Sequence, residues 1–103
     1  MDYSKMSDFE INKAVGESTG EALNTEETLN LVIRNSTGRR FDPCNSWADA
    51  GPIIQKNSIS LISDWNEEGI WGATFQPWIY SEHENPLRAA MECYLMMHDK
   101  GEE

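Results

Sequence analysis

The chain has 103 residues, of which 39% are hydrophobic and 25% are charged, as in ordinary globular proteins. Because this length is too short for two independent cores, we expect residues 1–103 to form a single domain. The formal net charge is −10, from eight Lys and Arg and eighteen Asp and Glu residues. An acidic surface repels phosphate and anionic lipid, which argues against direct binding of nucleic acid or of a membrane surface.

The acidic residues are concentrated toward the two ends of the chain. The net charge is −5 over residues 1–30, −1 over residues 31–80 and −4 over residues 81–103. Solvation of the surface explains such charge most simply, and attraction of a basic partner is the alternative. The sequence has only two cysteines, no secretory signal pattern and no apolar run of about 20 residues, so we expect a cytoplasmic protein with reduced thiols.

A capping box marks the first helix. Ser7 and Glu10 have the required spacing, and Met6 and Ile11 stand where a hydrophobic staple would place them. Gly16 predicts the end of this helix. Residues 16–28 are rich in Gly, Glu, Ser, Thr and Asn, which predicts a mobile loop.

The middle of the chain contains a strand pattern and a second helix signal. Residues 29–35 alternate between two faces, as expected for a strand. Ser46 and Asp49 again have capping spacing. Pro52 leaves two possibilities: a short turn that ends at Gly51, or a helix that starts near Pro52 and ends at Asn57.

Residues 58–63 and 70–75 form a predicted antiparallel hairpin around a polar loop, with a short extension at 78–80. Asn85 and Pro86 then begin a helix with an apolar stripe, which we expect to end at Lys100 and Gly101. The predicted fold class is α+β: a small antiparallel sheet of about three strands packed against N- and C-terminal helices.

Three segments carry a family resemblance. They are residues 1–12 (MDYSKMSDFEIN), residues 41–50 (FDPCNSWADA) with the following PII at 52–54, and residues 85–91 (NPLRAAM) with LMM at 95–97. Together they resemble the NinX-like family of lambdoid phages and prophages, a family of unassigned function. The resemblance implies a bacterial cytoplasm and expression from a phage accessory region, and it implies no functional residues.

No motif predicts a catalytic, cofactor or metal site. The residues that could bind a metal through sulfur or imidazole are Cys44, His83, Cys93 and His98. No two of them have the close spacing that is typical of a zinc site. Neither a Gly-x-Ser-x-Gly elbow nor a phosphate-binding glycine loop is present. An enzyme would therefore need a site assembled from distant residues, such as Asp42, His83 and Arg88.

Arg34, Arg39 and Arg40 are the first candidates for partner contact. Three of the eight basic residues cluster beside one turn, and guanidinium groups bind carboxylates and phosphates with two parallel hydrogen bonds. The alternative is that they neutralise nearby acids such as Asp42.

Trp65 and Trp78 are the second candidates. The central region holds more aromatic residues than so small a domain can bury, and exposed aromatic side chains are frequent at interfaces. Core packing accounts for Trp71 and Phe75, which leaves Trp65 and Trp78 as surface candidates.

Met96 and Met97 spread beyond a single face of the last helix, which makes a homodimer contact possible. Taken together, these features favour a non-enzymatic phage or prophage accessory protein that binds a host or phage protein. Two alternatives remain open: an acidic DNA mimic that inhibits a nucleic-acid-binding host protein, and an enzyme whose site is not visible in the sequence.

Overall fold

The computed structural model describes residues 2–76 and 79–99. A short 3₁₀ helix, Tyr3–Lys5, precedes the main elements. These are α1 (Asp8–Thr19), β1 (Leu23–Glu26), β2 (Leu31–Arg34), α2 (Trp47–Lys56), β3 (Ser60–Ile62), β4 (Trp71–Phe75), β5 (Ile79–His83) and α3 (Pro86–Asp99). The strands form two antiparallel sheets, β1-β2 and β3-β4-β5, so the predicted α+β class is confirmed.

Helix α3 lies at the centre of the molecule. One side of it packs on β4 and β5, and it also contacts α1 and α2. Helix α1 in turn contacts both strands of the β1-β2 hairpin. The core lies between these layers, and its largest fully buried side chains include Phe41, Ile11 and Met91. In the described part of the chain, no helix combines the length and the apolar character needed to span a membrane.

Both bonds of the predicted capping box at α1 are present. The Ser7 hydroxyl accepts from the Glu10 amide at 3.1 Å, and the Glu10 carboxylate accepts from the Ser7 amide at 2.9 Å. The predicted end at Gly16 is wrong, because α1 continues to Thr19 and closes at Gly20 with φ +81°. Gly16 allows close packing instead: a Cβ there would lie 3.3 Å from a ring carbon of Phe41 and closer still to Leu23.

Residues 16–28, for which we predict a mobile loop, contain regular secondary structure. The first four residues of this segment belong to α1, and Leu23–Glu26 form β1, paired with β2 in a register that sets Thr25 opposite Val32. Only Leu23 in this strand is even half-buried, so backbone pairing forms β1 without the apolar alternation that reveals a strand in sequence. The mobility of this segment stays a prediction.

The strand predicted at 29–35 is present as β2, but it belongs to the two-stranded sheet and not to the larger one. Strand β2 pairs with β1, and no described strand of the larger sheet pairs with it. Val32 is its buried residue, at 2% exposure, whereas Leu29 lies in the turn before the strand and is 65% exposed.

The second possibility gives the correct end of the helix, since Asn57 is the C-cap of α2, but both possibilities are wrong about a boundary near Pro52. Helix α2 runs through Pro52 without a break, from a cap in which the Ser46 hydroxyl accepts from the Asp49 amide at 3.3 Å. A proline at this position removes one helical hydrogen bond, the one to the carbonyl of Ala48. Ala48 is exposed, so water can bind that carbonyl.

The predicted hairpin is confirmed by β3 and β4, and the expected short extension is a full third strand, β5. The Asn85 cap is confirmed as well, because its side-chain oxygen accepts from the Leu87 amide at 2.9 Å. The predicted end of the last helix, at Lys100 and Gly101, lies outside the described residues.

Candidate functional site

The side chain of Trp65 covers Gly72 at the centre of the three-stranded sheet. A Cβ at residue 72 would lie 2.6 Å from the Cγ atom of the indole, so only glycine fits beneath the ring. The loop between β3 and β4 holds the tryptophan there. The backbone N–H of Trp65 donates to the Ile70 carbonyl at 2.8 Å. The residues on either side of Trp65 are Asp64 and Asn66, and both adopt positive φ angles, which Asp and Asn tolerate.

Several side chains beside Trp65 are directed away from α3. In the strand register, Ile62 and Glu82 lie opposite Gly72, and Tyr80 lies opposite Thr74. Ile62 is 42% exposed and Tyr80 is 47% exposed, and the rings of Trp65 and Tyr80 are 5.8 Å apart. We call this surface the outer face, and its residues are Ile62, Trp65, Gly72, Thr74, Tyr80 and Glu82.

The indole N–H of Trp65 is buried and donates no hydrogen bond to any described residue. Unsatisfied buried donors are rare in folded proteins and call for an explanation. In this case Trp65 can change its orientation without breaking a side-chain hydrogen bond, because its indole N–H makes none. Such freedom suits a side chain that adjusts when another surface packs on it.

A cavity of about 410 Å³ adjoins the outer face beside β5. Tyr80 and Glu82 belong to both the outer face and this β5 cavity. The other lining residues are Asp2, Tyr3, Ser4, Ser81, Glu92 and Met96. Three of the eight are acidic and none is basic. Hydrogen bonds from the Ser4 hydroxyl and amide lower the pKa of Asp2, so its carboxylate stays ionised at neutral pH.

Glu92 is the most deeply buried of the three acids, at 2% exposure. One of its oxygens accepts from the Ser81 hydroxyl at 2.7 Å and the other accepts from the Arg88 Nε–H, also at 2.7 Å. Arg88 donates a further bond of 2.6 Å to Asp8. Two carboxylates therefore share one guanidinium: that of Glu92, which is buried, and that of Asp8, whose side chain is 45% exposed.

Arg88 also anchors the start of the chain. Its Nη2 donates to the carbonyls of Tyr3 and Met6, at 3.0 and 2.6 Å. The N-terminal 3₁₀ helix is thereby fixed against α3 and forms the wall of the β5 cavity opposite β5.

The structure pairs two of the candidate arginines with acids. Arg34 lies 3.6 Å from both Glu21 and Asp49, and its guanidinium lies 4.7 Å from the centre of the Phe41 ring. Arg40 lies 3.6 Å from Asp42.

Arg39 is exposed, and its side chain makes no ion pair or hydrogen bond with any described residue. All three arginines lie on β2 and the segment that follows it, whereas Trp65 lies in the loop between β3 and β4. Trp78 lies outside the described residues. Trp71 and Phe75, expected in the core, are half-buried.

Asp42, His83 and Arg88 are all engaged in structural hydrogen bonds. Asp42 accepts from Asn12 at 2.8 Å, and the Nδ1 of His83 accepts from the Asn85 amide at 2.9 Å. No direct bond joins Asp42, His83 and Arg88 to one another within residues 2–76 and 79–99, and none of them lines the β5 cavity.

The two cysteines are free thiols in the core, and burial raises the pKa of both. For Cys93 the pKa rises to about 11. No group of three or more metal-binding side chains occurs in the part of the chain that the structure describes. Met96 and Met97 are half-buried and pack against the core, and the homodimer stays a prediction.

Sequence reasoning missed the residues that form the outer face with Trp65. A glycine inside an otherwise apolar strand signals a close approach of another group, and Gly72 has this position. Arg88 and Glu92 are four residues apart in a predicted helix, and this spacing could have predicted the ion pair between them. Strand β5 was harder to find, because the inward Ser81 interrupts its apolar alternation.

A family model described as Bacteriophage P22, NinX matches residues 2–98. No curated protein matches the sequence. The match takes in the outer face, the β5 cavity and the buried Arg88 group, and it agrees with the resemblance seen in the sequence. This chain therefore belongs to the NinX family of bacteriophage P22.

Proposed function

We propose that this protein is a non-enzymatic phage accessory protein that acts by binding a host or phage protein through its outer face. The observation that carries the proposal is the grouping of Ile62, Trp65 and Tyr80 on one side of the sheet, with Ile62 and Tyr80 more than 40% exposed. Aromatic side chains are enriched in the centres of protein interfaces, where they supply much of the binding energy.

Two other large apolar residues are exposed among residues 2–76 and 79–99, and they lie in different elements. Leu29 lies in the β1-β2 turn and Trp47 lies at the first position of α2, and single exposed apolar residues are normal on a protein surface. The outer face differs because several apolar side chains lie side by side on one sheet.

Charge supports a protein partner over a nucleic acid. The net charge is −10, and Glu82 lies within the outer face. Phosphate groups are repelled by such a surface, whereas a basic protein is attracted to it. The residues from which a catalytic site might be assembled are also engaged in structural bonds, as described above for Asp42 and Arg88.

The test is affinity capture from phage-infected cells with three tagged proteins: wild type, Tyr80→Ala and Leu29→Ala. Lysates are treated with nuclease, and captured proteins are identified by mass spectrometry. We expect one stoichiometric protein with wild type and with Leu29→Ala, and its loss with Tyr80→Ala. Equal capture by all three proteins, or no protein above background, would contradict the proposal. Competition of the captured protein with DNA would instead support the DNA-mimic alternative.

A further inference from the structure

We propose that the partner inserts an arginine side chain into the β5 cavity while an apolar side chain of the same partner packs on Trp65 and Tyr80. This inference rests on the proposed function and specifies the chemistry of the partner. The apolar part of the outer face and the β5 cavity adjoin each other, because Tyr80 contacts the ring of Trp65 and also lines the cavity. A single extended segment can therefore reach both places.

Charge complementarity selects a cation for the cavity. The lining contains the acids Asp2, Glu82 and Glu92 and no Lys, Arg or His. Arg88 balances the charge of Glu92, so Asp2 and Glu82 are the acids of the lining that no ion pair within the described residues balances. Each carboxylate oxygen can accept two hydrogen bonds, and each oxygen of Glu92 accepts one in the described part of the chain.

Tyr80 favours arginine among the cations, because it lines the cavity and is 47% exposed. A guanidinium stacks on aromatic rings, is more weakly hydrated than an ammonium group and binds carboxylates through two parallel bonds. The cavity of about 410 Å³ has room for this group together with its alkyl chain, and Met96 provides apolar lining for the chain.

The experiment is an NMR titration of the ¹⁵N-labelled full chain with N-acetyl-arginine methylamide. The matched probe is N-acetyl-citrulline methylamide, which has nearly the same shape but no charge. We expect the arginine probe to shift the amide signals of Ser81 and Glu82 and the citrulline probe to leave them in place. Equal shifts with both probes, or no shift at these residues with arginine, would overturn the proposal.

Variants that each remove one negative charge show whether the arginine probe binds in the β5 cavity. Glu82→Gln should weaken binding of the arginine probe about two- to fivefold, the range expected for one exposed ion pair. Glu27→Gln removes the same charge from the β1-β2 turn, outside the cavity lining, and should leave the affinity unchanged. If both variants bind equally well, the site is not the β5 cavity and the inference fails.

These outcomes are separable from those of the proposed function. Loss of the captured partner with Tyr80→Ala would support binding through the outer face. If the arginine and citrulline probes then bound equally well, the insertion of an arginine into the β5 cavity would be contradicted. Failure to capture any protein would reject the interface, and the arginine titration would then report on the cavity alone.

Discussion

The indole ring of Trp65 lies over Gly72, so close that the glycine has no room for a β-carbon. This contact joins the loop between β3 and β4 to the centre of the three-stranded sheet. It also sets the position of Trp65 beside Tyr80, at a ring separation of 5.8 Å. The shape of the outer face therefore depends on a residue that has no side chain of its own.

Gly72→Ala should destabilise the protein and displace Trp65, because the added methyl group would overlap the ring. Overpacking of this kind costs about 1–3 kcal/mol in unfolding free energy. The measurement is chemical denaturation of the variant beside wild type.

Gly51→Ala is the matched control for this substitution. Gly51 lies within α2, and apart from its chain neighbours and its own helix backbone no atom lies within 4 Å of a Cβ there. Pro52 disfavours a helical residue with a Cβ before it and so opposes the helix propensity of alanine, and the unfolding free energy should change by less than about 1 kcal/mol. Loss of stability in both variants to the same extent would contradict the role assigned to the Trp65–Gly72 contact.

Arg88→Met should be strongly destabilising. It removes the donor for Glu92 and Asp8 and for two carbonyls near the N-terminus, and it leaves the buried Glu92 carboxylate without its counter-charge. Breaking a buried pair in this way costs about 3–5 kcal/mol. Arg39→Met, at an exposed and unpaired position, should change the unfolding free energy by less than about 0.5 kcal/mol. Equal effects of the two changes would show that the buried group does not hold the N-terminus in place.

The free energy of unfolding should decrease between pH 9 and about pH 11. Burial raises the pKa of Cys93 from its ordinary value of 9.0 to about 11, so the folded thiol binds its proton more tightly than the unfolded thiol. The resulting stabilisation is complete below pH 9 and is lost as the pH rises through the folded pKa. Cys93→Ala should make this decrease shallower in a series of denaturation curves. A slope identical to that of wild type would contradict the prediction.

The double variant Arg39→Ala/Arg40→Ala tests the other candidate contact. Arg40 is exposed and its guanidinium lies 3.6 Å from the Asp42 carboxylate, so loss of this pair should leave the melting temperature nearly unchanged. If these arginines contact the partner, the affinity for the captured protein should fall in a titration with the purified pair. An unchanged affinity would restrict binding to the outer face.

Local signals in the sequence predicted the elements with clear caps. The Ser7–Glu10 box and the Asn85 cap are both present as hydrogen bonds, because they need only residues within one helical turn. Long-range packing decided the cases where the prediction was wrong. Gly16 does not end α1, since its missing side chain makes room for Leu23 and Phe41.

The candidate site was predictable only in part. Trp65 was identified from the surplus of aromatic residues, but its neighbours on the outer face come from all three strands of the sheet. The register that places Tyr80 and Glu82 beside it depends on β5, whose polar Ser81 faces the interior and bonds to Glu92. A buried polar pair of this kind breaks the apolar alternation, and only the folded chain shows the two partners together.

The most direct test of the outer face as the binding surface is site-specific photo-crosslinking in phage-infected cells. One protein carries p-benzoylphenylalanine in place of Ile62 on the outer face, and the other carries it in place of Leu29, which is also exposed but lies in the β1-β2 turn. The account predicts a discrete crosslinked protein from position 62 and none from position 29. Crosslinking from position 29 alone, or from neither position, would contradict it.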